Sequence, residues 1–184
     1  MLAACDDGED GLAPLEDVAG AADSIDINGD VTPIDAALLE IDGDTARHSN
    51  VDLQAGDGAF VPVINATGIS APPVTFWLSS GETVIFRADL YSPGTDRFRI
   101  GTYTYSPLAP DDPALAGRFF FDKGIAGRDL DGDGEVGDTE EIAVIGGSVT
   151  LAGEPPDLAL AFDVVLANGV SARGAWRGEF LIID

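Results

Sequence analysis

The fold of this chain is most clearly indicated by residues 158–178, which read LALAFDVVLANGVSARGAWRG. Apolar side chains occupy the even positions in the first half of this stretch, as in a strand with one buried face. A turn formed by Asn168-Gly169 alone would pair the buried face of one strand with the solvent-exposed face of the other. We therefore predict a three-residue loop, Ala167–Gly169, with Gly169 in the left-handed conformation of a bulged hairpin. The predicted cross-strand pairs are Leu166 with Val170, Phe162 with Gly174, and Leu160 with Trp176.

Short apolar runs separated by turn residues continue back through the chain to about Ile34. No window of helical length carries a sustained helical period. In 98–105 the apolar parity changes across Gly101, which predicts one strand bent by a bulge. The whole pattern predicts an all-β fold, an antiparallel β-sandwich or flattened barrel of about eight to ten strands. Besides the hairpin, the predicted strands are 36–41, 60–64, 74–78, 83–91, 98–105 and 142–151.

The composition limits the classes of partner. The 184 residues carry a net charge of −24, so nucleic acids and anionic lipid surfaces would be repelled and no nucleic-acid partner is expected. Asp outnumbers Glu by 24 to 9. This excess has two explanations, an acidic coat that keeps a protein soluble at high salt, or Asp-rich loops that supply oxygen ligands for Ca²⁺.

The amino terminus has the pattern of a lipoprotein. Met1–Cys5 reads MLAAC and resembles a bacterial lipobox, in which the cysteine is acylated; the alternative is a free cysteine near a flexible end. We expect 1–24 to be a lipobox remnant and an acidic tether, and 25–184 to be a single domain. The sequence has no apolar run of about 18 residues. A lipid on Cys5 would then be the only membrane anchor and would place the domain in the cell envelope, at the outer membrane or cell surface.

Four glycine-rich strand motifs give the chain a resemblance to a known group of proteins. The chain is similar over roughly residues 34–184 to small, uncharacterised lipoproteins of Bacteroidota-type bacteria. This resemblance implies a β-rich envelope protein and carries over no catalytic residue. The motifs are 101–105 (GTYTY), 146–150 (GGSVT), 162–169 (FDVVLANG) and 174–178 (GAWRG).

Residues 129–140 (DLDGDGEVGDTE) resemble the twelve-residue calcium loop of EF-hands and dockerins. Carboxylates at loop positions 1, 3 and 5 converge on an ion, a glycine at position 6 permits the sharp turn, and a glutamate at position 12 closes the shell. The flanking segments do not read as helices, so we expect a structural Ca²⁺ site in a connection between strands. The alternative is an acidic hairpin with no ion. The predicted ligands are Asp129, Asp131, Asp133, the carbonyl of Glu135, and Glu140.

A second acidic segment, 26–35 (DINGDVTPID), resembles the start of a dockerin-type repeat with residues missing. Asp26, Asn28, Asp30 and Asp35 are therefore candidates for a second calcium site. The alternative is a polar turn before the first strand.

The sequence lacks the motifs of common enzymes. His48 is the only histidine, and Cys5 is assigned to lipidation, so a Cys-His pair is not expected. We therefore expect a non-catalytic envelope lipoprotein domain, a binding or structural module of unknown ligand, for which a glycan or a protein is a candidate. The rival is a calcium-dependent carbohydrate-binding or glycoside-hydrolysing protein. For the rival, an exposed aromatic platform would come from Trp77, Trp176, Tyr91, Tyr103 and Tyr105, although their positions in the strands favour packing in the core.

Overall fold

The computed structural model describes residues 23–64, 75–81 and 83–183, and most of their regular structure is β-strand. The predicted all-β class is confirmed; the described residues contain no α-helix and one short 3-10 helix, Pro113–Leu115. Thirteen strands are described, more than the sequence predicts. They are β1 (Ser24–Ile27), β2 (Asp30–Pro33), β3 (Ala36–Asp44), β4 (His48–Gly56), β5 (Ala59–Ile64), β6 (Thr75–Ser80), β7 (Val84–Pro93), β8 (Thr102–Tyr105), β9 (Phe120–Arg128), β10 (Glu141–Glu154), β11 (Asp157–Leu166), β12 (Ser171–Glu179) and β13 (Leu181–Ile183).

Eleven strands form one curled sheet in the order β13-β3-β4-β7-β9-β8-β10-β11-β12-β1-β2, and β5 pairs with β6 separately. The large sheet is mixed, because β8 runs parallel to β9 and β13 parallel to β3. β12 and β13 lie towards opposite ends of this order, yet only Phe180 separates them along the chain. One residue spans only about 3.3 Å. The sheet must therefore curl so that the end of β12 lies close to the start of β13, and it forms a half-barrel, consistent with a flattened barrel.

The hairpin of β11 and β12 has the predicted register. Phe162 lies opposite Gly174, and Leu160 lies opposite Trp176. The Leu166 amide donates to the Val170 carbonyl at 2.8 Å, and Gly169 has a φ of 81°. The three-residue loop and its left-handed glycine are both confirmed.

The core is formed where the curled sheet folds over itself. Phe86 of β7 stacks on Phe162 of β11, with ring centroids 3.9 Å apart and planes inclined by 7°. Both rings are buried. Gly174 leaves room for this stack, since a Cβ there would lie 2.4 Å from Phe162 Cζ. The largest buried side chains around the stack include Leu53, Leu90, Tyr103, Phe121, Leu151 and Leu160.

Part of the strand prediction was wrong. The predicted strand over 98–105 begins only at Thr102, so Gly101 is not a bulge within it. The segment before it is a loop in which the Arg99 amide donates to Ser92 Oγ at 3.0 Å and the Tyr103 hydroxyl donates to the Arg99 carbonyl. Gly101 instead packs against Phe119, whose ring would lie 2.9 Å from an added Cβ.

Candidate metal centre

The predicted calcium loop is the connection between β9 and β10. These strands pair with each other next to the loop, with Gly127 opposite Glu141. At its start, the Asp129 amide donates to the Thr83 carbonyl at 2.9 Å. The loop therefore begins and ends on neighbouring strands of one sheet.

Three of the predicted ligands meet in the structure. Asp129, Asp131 and Asp133 each offer a carboxylate oxygen, and these oxygens lie within 4.8 Å of one another. This is the only group of three or more carboxylate, imidazole or thiol ligands that converges in this way in the described part of the chain. The triad could hold a metal ion, and its all-oxygen donor set suits a hard divalent cation better than zinc or copper.

Backbone amides of the loop hold the first carboxylate in place. The Gly132 amide donates to Asp129 Oδ1 at 2.6 Å, and the Gly134 amide donates to Asp129 Oδ2 at 2.9 Å. Gly134 can take part because its φ of 91° is in the left-handed region, which a residue with a side chain adopts only with strain. This is the conformation that the glycine at loop position 6 was expected to supply.

The other two carboxylates of the triad are held in the same manner. The Asp133 amide donates to Asp131 Oδ1 at 3.1 Å, and the Glu135 amide donates to Asp133 Oδ1 at 3.0 Å. Each side chain thus turns back over its own loop, as in an Asx turn. Glu135 contributes its amide to this pattern, and its role as a carbonyl ligand stays a prediction.

Glu140 folds back across the loop from its last position. Its Oε1 accepts hydrogen bonds from the amides of Leu130 at 2.5 Å and Asp131 at 3.2 Å. Its Oε2 accepts from the Gly137 amide at 2.9 Å. The carboxylate predicted to close the coordination shell is therefore positioned against the start of the loop. It is not one of the carboxylates that converge with Asp129, Asp131 and Asp133, so its role as a ligand stays a prediction.

The amide contacts keep two of these acids ionised. Hydrogen bonds from the amides of Gly132 and Gly134 lower the pKa of Asp129 below its ordinary value. Hydrogen bonds from Gly137 and Leu130 likewise lower the pKa of Glu140. The loop therefore presents charged carboxylates at neutral pH, the form in which they bind cations.

Residues outside the loop support it, and the sequence did not reveal them. The Asp57 carboxylate accepts hydrogen bonds from the amides of Thr83 and Val84, which fixes the segment that receives the loop. Val136 packs on Gly127, where a Cβ would lie 2.6 Å from Val136 Cγ1. No local motif identifies Asp57, because Thr83 is 26 residues away along the chain.

The second acidic segment forms a hairpin. Asn28 and Gly29, with φ of 58° and 90°, make the turn between β1 and β2, and the Gly29 amide donates to Asp26 Oδ1 at 2.6 Å. Asp30 forms an ion pair with Arg128 at 3.5 Å. This is the polar turn that was the alternative to a second calcium site, although two strands flank it.

The candidate aromatic residues and the single histidine are mostly internal. Tyr91 and Tyr103 are buried, and Trp176 is half-buried with its ring against Phe180. His48 lies in β4 and is fully buried, with Nε2 3.0 Å from the Leu115 carbonyl. The side chain of Trp77 and all of Met1–Cys5 lie outside the described part of the structure.

Comparisons with known proteins give no relative from which a role could be transferred. No protein-family model matches the chain, and neither the curated proteins nor the solved structures give a significant match. Within the described residues, no helix has the length and apolar character needed to cross a membrane.

Proposed function

We propose that this chain is a non-catalytic domain of the cell envelope in which Ca²⁺ bound by residues 129–140 rigidifies the β9–β10 connection. The domain acts as a binding or structural module, tethered through a lipid on Cys5. The observation that carries the metal part is the convergence of Asp129, Asp131 and Asp133 within 4.8 Å.

The chemistry of the loop favours calcium over other metals. Ca²⁺ takes six to eight oxygen ligands in flexible geometry, whereas Mg²⁺ demands a near-ideal octahedron and retains several waters. Three aspartates, the predicted carbonyl of Glu135 and the carboxylate of Glu140 supply such a set in a solvent-exposed loop that water can enter. Loops of this type in extracellular modules bind calcium with a Kd on the order of 0.1–1 mM.

The position of the loop favours a structural role. Calcium sensors work by reorienting the two helices that flank their loop. Here the flanking segments are β9 and β10, which are hydrogen-bonded to each other. Binding would therefore fix the shape of a long exposed connection without moving the strands around it.

Thermal unfolding of the full chain tests the metal site. At a Ca²⁺ concentration about 100 times Kd, binding to the folded state adds about 2.7 kcal/mol of stability, which raises Tm by roughly 5–11 °C for a chain of this size. Asp129→Ala should abolish this rise. Asp138→Ala is the matched control, since it removes one charge from the same loop at a position that is not a predicted ligand.

Two results would contradict the proposal of a calcium site. One is coincident unfolding curves in Ca²⁺ and in chelator at equal ionic strength. The other is an equal loss of the calcium effect in both variants, which would indicate screening of the acidic surface.

The anchor is tested separately by mass spectrometry of protein extracted from its native membrane, in which the peptide containing Cys5 should carry the mass of acyl chains.

A further inference from the structure

A cavity of about 730 Å³ lies between β3 and β4 on one side and the start of β11 on the other. The loop 95–100 and Ile182 of β13 complete its wall. We call it the β3–β11 cavity. Its volume is in the range of about 300–1,000 Å³ typical of sites for small ligands.

The wall of the β3–β11 cavity is mainly apolar and connects the core to solvent. Leu39, Val51 and Leu158 form its inner part and are buried members of the main core. Ile41 and Ile182 lie at its outer part, where they remain 45% and 38% exposed. Large aliphatic side chains that line an open concavity in this way are typical of a site that binds an apolar group.

Two arginines line the same cavity in a chain that has only 9 Lys and Arg against 33 Asp and Glu. Arg99 is occupied, because its guanidinium pairs with Asp96 at 2.7 Å and donates to the Pro93 carbonyl. Arg97 is exposed, and among the side chains that the structure describes no carboxylate forms an ion pair with it. Asp96 also lines the cavity, but its carboxylate is paired with Arg99, so Arg97 carries the unpaired positive charge among the described lining residues.

We propose that the β3–β11 cavity binds a small amphipathic carboxylate, with the apolar chain against Leu39, Ile41 and Leu158 and the carboxylate against Arg97. An arginine fork matches the two oxygens of a carboxylate. The net charge of −24 repels anions from most of the surface, so a cationic group beside an apolar cavity selects one orientation of such a ligand. This site is separate from the metal loop, and none of its lining residues belongs to 129–140.

Three ligands that share one octyl chain but differ in the charge of their head group test the proposal. We would titrate the full chain, with Ca²⁺ present, with octanoate, octanol and octyltrimethylammonium, all as monomers, and follow backbone amides by NMR. Octanoate should bind about three- to ten-fold more tightly than octanol, the effect of a charged hydrogen bond at a partly exposed site. The cation should bind most weakly, and shifts should cluster at Ile41 and residues 95–100.

Two pairs of variants separate the carboxylate contact from the apolar contact. Arg97→Gln should remove the preference for octanoate over octanol, whereas Arg177→Gln, at an exposed position on β12, should not. Ile41→Ser should weaken octanoate and octanol equally, by about three-fold or more. Its control is Ile145→Ser, which changes an exposed isoleucine outside the cavity and should leave both affinities unchanged.

Three results would overturn the proposal. One is equal affinity for the anion, the alcohol and the cation, because Arg97 would then not select the ligand. Another is a set of amide shifts elsewhere in the protein. The third is no saturable binding of any of the three compounds while the NMR spectrum shows a folded protein.

Discussion

Gly174→Ala should destabilise the domain by about 1–3 kcal/mol, the usual cost of overpacking a well-packed core. The added Cβ would lie 2.4 Å from Phe162 Cζ and 2.9 Å from the Ser24 carbonyl oxygen. Carbon atoms prefer a separation of about 3.5–4.0 Å, so the ring would have to move by more than an ångström. It has little room, because its other face is stacked on Phe86 at 3.9 Å.

Urea unfolding in saturating Ca²⁺ measures this effect as a lower midpoint with an unchanged slope. Gly146→Ala is the matched control, since a Cβ at that position would meet nothing closer than Val165 Cβ at 3.9 Å. In a Phe162→Leu background, the part of the cost that comes from the ring should disappear, and the contact with the Ser24 carbonyl oxygen should remain. Equal midpoints for the two alanine variants, or an undiminished cost of Gly174→Ala without the ring, would refute this account of the core.

Three further changes have expected outcomes. Gly127→Ala keeps all the loop carboxylates but places a methyl group against Val136 of the loop. Calorimetry should therefore show several-fold weaker Ca²⁺ binding. An unchanged affinity would contradict this packing. His48→Phe loses the hydrogen bond to Leu115, and urea unfolding should show a loss of about 1 kcal/mol. Asp129 and Glu140 have pKa values lower in the folded protein than their ordinary values of 3.8 and 4.5. Their ionised forms therefore stabilise the fold, and this stabilisation is complete when the pH is above those ordinary values. This contribution is lost as the pH falls through the folded-state pKa values. Without Ca²⁺, the difference in unfolding free energy between the unmodified protein and Asp129→Asn should therefore shrink below about pH 4. A difference that does not change with pH would contradict this explanation.

The sequence predicts best where the determining residues are close together along the chain. The register of the β11–β12 hairpin follows from alternation and from one loop glycine, and both are local. The triad is also predictable locally, because Asp129, Asp131 and Asp133 alternate within one loop whose own amides hold their carboxylates.

Prediction fails where a residue is chosen for a distant partner. No strand is predicted over 120–128, yet β9 spans these residues and contains Gly124 and Gly127. A Cβ on Gly124 would lie 3.2 Å from the Arg87 carbonyl oxygen, and one on Gly127 would meet Val136. These glycines allow close approach to another segment, and a local pattern cannot distinguish this from a break in a strand.

The acidic segment 26–35 shows a choice that the local sequence leaves open. Its aspartates resemble metal ligands, although Asn28-Gly29 is also a strong signal for a two-residue hairpin turn. The choice between the two depends on Arg128, which pairs with Asp30 and donates to the Thr32 hydroxyl from 96 residues away. Distant ion pairs of this kind are not visible in the spacing of residues.

The single residue between β12 and β13 has a consequence for the order of folding. β13 pairs with β3, so Leu181 meets Leu38 across almost the whole described length of the chain. Contacts between such distant segments are slow to form, because a long loop must close before they give any stability. Phe180 enters the core at this point. The sheet edge of β3 therefore stays unpaired until the last strand docks, and during this interval the chain is most prone to pair with a neighbouring molecule.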